Sequence, residues 1–142
     1  MPTRSAKARW EGNLKNGNGF LKLGSRAFEG IYSFDSRFET GTGTNPEELI
    51  GAAHAGCYSM ALSMLLENAG HPPRSIETQA DVRLDKVEEG FRITGIELQT
   101  EADVPGIDPQ EFQKQAEAAK DGCPVSQALA GTEIRLQAKL LG

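Results

Sequence analysis

Cys57, Cys123, His54, Arg37 and Glu47 are the side chains whose types and surroundings suit covalent chemistry. A thiol acts through its thiolate, and its neighbours decide how much thiolate exists. Cys123 follows Gly122 and precedes Pro124, which suits the first position of a helix. Its sulfur is therefore expected near a helix N-terminus, where partial positive charge stabilises an anion. Cys57 is expected mid-helix, where the dipole helps little and burial raises a thiol pKa. A reactive Cys57 thus needs a cation from elsewhere. One candidate is His54, a single turn earlier; the other is Arg37, in Phe34-Asp35-Ser36-Arg37-Phe38. An arginine flanked by aromatics can be partly buried and still charged, although the same stretch also suits a surface arginine between two core phenylalanines.

Glu47 precedes Cys57 by ten residues on the same expected helix, about 15 Å along its axis. If both serve one site, that site forms between two subunits; by itself Glu47 is a first-turn carboxylate favoured by the helix dipole. His54 and Cys57 share a helical face. Their spacing suits a Cys–His nucleophile pair for acyl transfer, or two metal ligands, while a lone helix histidine is more commonly a hydrogen-bonded core residue. Only His71 and Cys123 remain as further His or Cys ligands, and a structural zinc site wants four, so no metal is expected. A non-catalytic binding dimer with two merely buried thiols is the third alternative.

The elements that must position these groups centre on a helix beginning at Asn45-Pro46. Asn45 suits the N-cap, Pro46 the first position, and Glu48 completes a capping-box-like pattern. Leu49, Ile50, Ala53, Cys57, Met60, Ala61, Met64 and Leu65 recur at helical spacing. Gly70 and the prolines beyond it end the run. With almost no charge between Glu48 and Glu67, the helix is expected in the core and not across a membrane. Ahead of it, Ala8–Gly12, Phe20–Leu23 and Ala27–Phe34 read as strands, with Asn16-Gly17-Asn18-Gly19 as a turn. After it, Ile76–Val87 and Phe91–Glu101 alternate about a tight Glu88-Glu89-Gly90 turn, with a bulge expected at Gly95. Asp108-Pro109 opens a second helix to about Lys120 with an apolar stripe of Phe112, Ala116 and Ala119. Cys123–Leu129 reads as a further turn or two of helix, and Thr132–Leu140 as the last strand. This order implies an α+β fold with mostly antiparallel sheet.

The 142 residues are expected to form a single domain, 1–142, and 38% hydrophobic content supports a core. A net charge of −5 argues against nucleic acid, and no polybasic cluster points to a membrane surface. Met1–Lys7 has no apolar run behind it, so no signal peptide is expected and a cytoplasmic address follows. Two cysteines in that compartment suit redox, catalytic or metal chemistry more than a structural disulfide.

Thr44 through Cys57, together with Gly122-Cys123-Pro124-Val125-Ser126, closely resembles the OsmC/Ohr family of thiol-dependent peroxidases. The likeness extends to Trp10-Glu11-Gly12, Ser36-Arg37-Phe38-Glu39, Asp81-Val82 and Leu84-Asp85-Lys86-Val87. His54 and the Ser36–Glu39 segment point to the OsmC branch, the osmotically inducible proteins. The resemblance implies antiparallel sheets wrapped around two long central helices in an intertwined, swapped homodimer, with two active sites at the subunit interface. It implies Cys57 as the peroxidatic and Cys123 as the resolving cysteine, with Arg37 polarising the peroxide and Glu47 of the other subunit orienting Arg37. Attack on an organic hydroperoxide would give a Cys57 sulfenic acid, then a Cys57–Cys123 disulfide. A dithiol, either a small molecule or a lipoyl- or thioredoxin-like protein, would reset the pair. No metal, haem or flavin cofactor is required. The apolar helix around Cys57, with Phe34 and Phe38, favours organic hydroperoxides over hydrogen peroxide.

Overall fold

In the computed structural model, which describes residues 1–142, the chain divides into two units, Met1–Leu49 and Ile50–Gly142. In the first, β1 (Ala6–Glu11), β2 (Asn18–Leu23) and β3 (Glu29–Tyr32) form an antiparallel sheet in that order. Glu11 pairs with Asn18, so the first turn is longer than an Asn-Gly hairpin. The Asn13 side chain accepts from the Asn16 amide at 2.8 Å, and its carbonyl accepts from the Gly17 amide at 2.9 Å. β3 is shorter than the expected Ala27–Phe34, because the chain turns into a small helix, α1 (Phe34–Phe38). A reciprocal capping box starts it: the Ser36 amide donates to Ser33 Oγ at 3.1 Å and the Ser33 amide to Ser36 Oγ at 2.8 Å.

The long helix α2 spans Pro46–Asn68. Asn45 caps it as expected, accepting from the Glu48 amide at 2.8 Å. At its other end Gly70 adopts φ +88°, a value that suits glycine. The Gly70 amide then reaches the Glu67 carbonyl and the His71 amide the Leu66 carbonyl, each at 2.9 Å, which satisfies two otherwise orphaned acceptors.

In the second unit β4 (Ser75–Val87) and β5 (Gly90–Asp103) form a long antiparallel hairpin. Its register shifts between Arg83 and Leu84, which face Gly95 and Ile93 and leave Thr94 as the extra residue beside the expected glycine. Then α3 (Pro109–Gly122) and α4 (Pro124–Ala128) lead to β6 (Glu133–Leu141). β6 pairs with β5 in parallel, giving the order β4-β5-β6. The expectation of mostly antiparallel pairing holds elsewhere; here a helical crossover returns the chain to the same end of the sheet.

The core of this unit joins Ile96, Leu98 and Ala102 of β5 to Tyr58, Leu62 and Leu66 of α2 and to Phe112, Ala116 and Ala119 of α3. Gly51 is buried where a Cβ would stand 3.2 Å from the Ala80 carbonyl, so it permits close approach of helix and sheet. By length and composition α2 could cross a membrane. Its polar groups are nonetheless spent on the fold: Tyr58 Oη donates to the Ala116 carbonyl at 3.1 Å, and Ser59 Oγ to Thr78 Oγ1 at 2.8 Å. The expectation of a helix buried all round needs correction. His54, Tyr58, Leu62 and Leu66 form the covered stripe, while Met60 and Met64 are 77% and 55% exposed on the far side.

Candidate functional site

Cys57 and Cys123, 66 residues apart in sequence, bring their sulfurs to 3.0 Å as free thiols. The packing of α2 on α3 through Tyr58, Leu62, Phe112 and Ala116 makes this possible. Cys123 then ends one helix and starts the next. Its amide donates to the Ala119 carbonyl at 3.0 Å, its carbonyl accepts from the Gln127 amide at 3.0 Å, and Pro124 opens α4. Cys123 is fully buried, whereas Cys57 is half-buried.

The two thiols titrate as a pair. Burial pushes the Cys57 thiol up, and its hydrogen bond to Cys123 pushes it further. Burial also acts upward on Cys123, but hydrogen bonds from the Cys57 thiol and from the amide and hydroxyl of Ser126 outweigh it and leave its pKa lowered. The relevant donors are local ones, with the Ser126 amide 3.5 Å from the sulfur.

His54 lies fully buried, with Nε2 2.7 Å from Ser126 Oγ. The Cys–His pair that its spacing suggested is thus not what the imidazole makes: it reaches to α4. Its Nδ1 is buried without a partner. Burial lowers its pKa below the ordinary value of 6.5, so it is neutral at pH 7. The sign for stability follows from linkage: below pH 6.5 the unfolded chain takes a proton that the native fold refuses. Stability should fall as pH drops from 6.5 toward the lower folded pKa, by up to about 1.4 kcal/mol per pH unit. Urea melts between pH 7 and pH 5 should show His54→Gln losing that segment of the dependence; an unchanged slope would refute it.

In the first unit Arg37 and Glu47 form a two-pronged ion pair, Nε to Oε1 at 3.1 Å and Nη2 to Oε2 at 2.9 Å. The Glu47 side chain is 9% exposed and that of Arg37 36%. The guanidinium also lies over the Phe38 ring, 5.3 Å from its centre. Ser36 fixes α1 against the start of α2: its hydroxyl donates to the Thr44 carbonyl at 2.7 Å, and Asn45 Nδ2 donates to its carbonyl at 3.1 Å. Glu47 was expected to reach Arg37 from the other subunit. That expectation is corrected, since both residues belong to one chain and their pair is closed within it. Ser33 and Ser36 could have been read as a capping pair from their spacing. Ser126 carried no signal beyond its place after Cys123-Pro124.

A family model described as OsmC-like protein matches residues 39–139. The chain is 52% identical over 138 residues to peroxiredoxin OsmC of Escherichia coli (strain K12), a match covering 96% of each. It is 31% identical over 118 residues to the organic hydroperoxide resistance protein OhrB of Bacillus subtilis (strain 168), covering 78% of this chain and 85% of that one. Among solved structures it resembles an organic hydroperoxide resistance protein from Elizabethkingia anophelis, with a TM-score of 0.72, 26% identity, and 99% and 96% of the two chains covered.

Proposed function

This chain belongs to the OsmC-like protein family, and on that premise we propose that it is a thiol-dependent peroxidase reducing organic hydroperoxides to alcohols with its own two cysteines. The observation that carries the reading is the pair of free sulfurs 3.0 Å apart.

Exposure divides the roles. Cys57 is half-buried and open to a peroxide from solvent, while Cys123 is sealed. The Cys57 thiolate attacks one peroxide oxygen: an S–O bond forms, the O–O bond breaks, and the departing alkoxide takes a proton to become the alcohol. The Cys123 thiolate then attacks the sulfenic sulfur; the S–S bond forms, the S–O bond breaks, and hydroxide leaves as water with a proton. An external dithiol reduces the disulfide by two exchanges and is itself oxidised. A small dithiol or a lipoyl- or thioredoxin-like protein fits this step, and the cytoplasm is the compartment that supplies one.

Burial raises the Cys57 pKa, so its thiolate needs a cation. We assign that role to Arg37, held by Glu47 and delivered from the partner subunit of a homodimer in which 1–142 acts as one domain. Helix spacing supports delivery in trans, since Glu47 and Cys57 stand ten residues apart, about 15 Å, on one helix. The uncovered Met60 and Met64 on α2, and Ile31 (58% exposed) on β3, are apolar surface that a second copy would cover. Refolding an equal mixture of Cys57→Ser and Arg37→Met chains should restore about a quarter of the parental activity, because half the dimers are hybrids with one intact site each. No recovery would place Arg37 in cis or outside the site.

The direct test is a dithiol-dependent peroxidase assay over a panel of hydroperoxides. Phe34 and Phe38 beside Arg37 supply apolar surface for an alkyl group, so kcat/KM for cumene hydroperoxide should exceed that for hydrogen peroxide by at least about tenfold, a few buried carbons' worth. Equal values would remove the preference, and no turnover with any peroxide would remove the function.

A further inference from the structure

Resting on the role given to Arg37 in the peroxidase reading, we propose that Asn45 and Ser36 are positioning residues for the first step, a clasp that sets the Arg37 guanidinium where it can act on the Cys57 thiolate and the peroxide. Arg37 sits in α1, a helix of five residues. So short a helix has little stability of its own. The pair with Glu47 is open to solvent on the arginine side, where the side chain is 36% exposed, and ion pairs that water can reach hold their partners weakly. Two further ties run from α1 to the start of α2, and both pass through Ser36, the neighbour of Arg37. The Ser36 hydroxyl has one hydrogen to give. It goes to the Thr44 carbonyl at 2.7 Å, nearer than the Ser33 carbonyl at 3.2 Å. The Ser36 carbonyl accepts from Asn45 Nδ2 at 3.1 Å.

Asn45 does two jobs with two atoms. Its Oδ1 caps α2 by accepting from the Glu48 amide at 2.8 Å. Capping alone asks only for an acceptor, and serine or aspartate supplies one as well. The side-chain nitrogen has no part in the cap; its use is the bond to α1. The two partners also fix which way the amide lies, because an N–H must face an acceptor and a carbonyl a donor. Ser36 is 6% exposed, so its bonds are shielded from competing water. Through them α1 is fastened to the first turn of α2, the turn that carries Glu47. Arg37 is thereby held twice, at its guanidinium by Glu47 and at its backbone by the clasp.

In the first step Arg37 remains a cation and transfers no proton. The Cys57 sulfur forms its S–O bond as the O–O bond breaks, and the alkoxide takes a proton from water. The clasp contributes placement: a shift of about an ångström can cost about a hundredfold in rate. A cap that served only to start α2 would affect stability without singling out the peroxide step.

The experiment uses the full chain as a reduced dimer, mixed with cumene hydroperoxide, quenched at intervals, and analysed by mass spectrometry for Cys57 sulfenic acid and for the disulfide. Asn45→Ser keeps a capping oxygen and loses the amide donor. It should slow Cys57 oxidation about tenfold and leave the conversion of sulfenic acid to disulfide at the parental rate. Ser36→Ala should slow the same step about tenfold, while Ser36→Thr, which keeps the hydroxyl, should stay within about threefold of the parent. Arg37→Met should itself slow the step about a hundredfold or more. Adding Asn45→Ser to Arg37→Met should change the rate by less than about twofold, since a residue that acts through another then has nothing to act on. Circular dichroism reports folding, and should Asn45→Ser or Ser36→Ala fail to fold, the other carries the test. The clasp is overturned by parental Cys57 oxidation in folded Asn45→Ser, by an equal loss from Asn45→Ser in the Arg37→Met background, or by disulfide closure slowed to the same extent. If Arg37→Met oxidises Cys57 as fast as the parent, the role given to Arg37 fails and takes the clasp with it; a slow Arg37→Met beside a parental Asn45→Ser removes the clasp alone.

Discussion

Cys57→Ser protein should consume no hydroperoxide above the uncatalysed rate, while folding as the parent does. A serine hydroxyl at neutral pH is almost wholly protonated and has no adjacent base here, since the imidazole on the same helix is engaged with Ser126. The expected loss of kcat/KM is at least about a thousandfold. Stability should change little: the Cys57 side chain is only half-buried, and its polar contact within the fold is the Cys123 sulfur at 3.0 Å. Exchanging one weak hydrogen bond for another is worth about 1 kcal/mol or less. Xylenol-orange peroxide measurements beside circular dichroism separate the two effects. Retained peroxidase activity in a folded Cys57→Ser protein would remove the assignment of Cys57.

Cys123→Ser should behave differently. It leaves Cys57 free to attack once and removes the thiol that captures the product. Turnover with dithiol should fall by roughly a hundredfold or more, because the sulfenic acid then waits for an external thiol and remains open to a second peroxide. Mass spectrometry after a tenfold excess of peroxide should find two added oxygens on Cys57, the sulfinic acid; in the parent the disulfide should dominate instead. An unmodified Cys57 would contradict the proposed order of the two cysteines. The serine would occupy a fully buried position, yet the Ser126 amide that faces the sulfur can donate to a hydroxyl oxygen. The cost in stability should therefore stay near 1 kcal/mol.

Local signals in the sequence reached far into this fold. Asn45-Pro46 and Gly70 bounded α2, Phe112, Ala116 and Ala119 marked the buried stripe of α3, and Gly95 lay beside the bulge in β5. Each follows from a cap, a period or a backbone preference that acts within a few residues. What stayed hidden depends on distant partners. The parallel course of β6 is set by where α3 and α4 return the chain, not by the alternation of its own residues. The uncovered face of α2 looks no different in sequence from its covered one, because both are apolar.

The candidate site was legible as a set of residues and not as a geometry. Cys57, Cys123, Arg37 and Glu47 stood out by type and by family resemblance. That Arg37 and Glu47 pair within one chain depends on Ser36, whose hydroxyl and carbonyl fasten α1 to the start of α2. That His54 turns from Cys57 to Ser126 depends on a contact spanning 72 positions. No spacing rule within a helix could reveal either.

The sealing of Cys123 also decides the return half of the proposed cycle. A reductant approaching the oxidised pair can touch only the Cys57 side of the bridge, so the mixed disulfide is built there and the Cys123 sulfur is the one expelled. A thiol of lowered pKa is the better leaving group, and Cys123 is the sulfur whose anion the fold favours. The same few donors that ready it for closure thus hasten its release, and electrons enter and exit the protein through one sulfur.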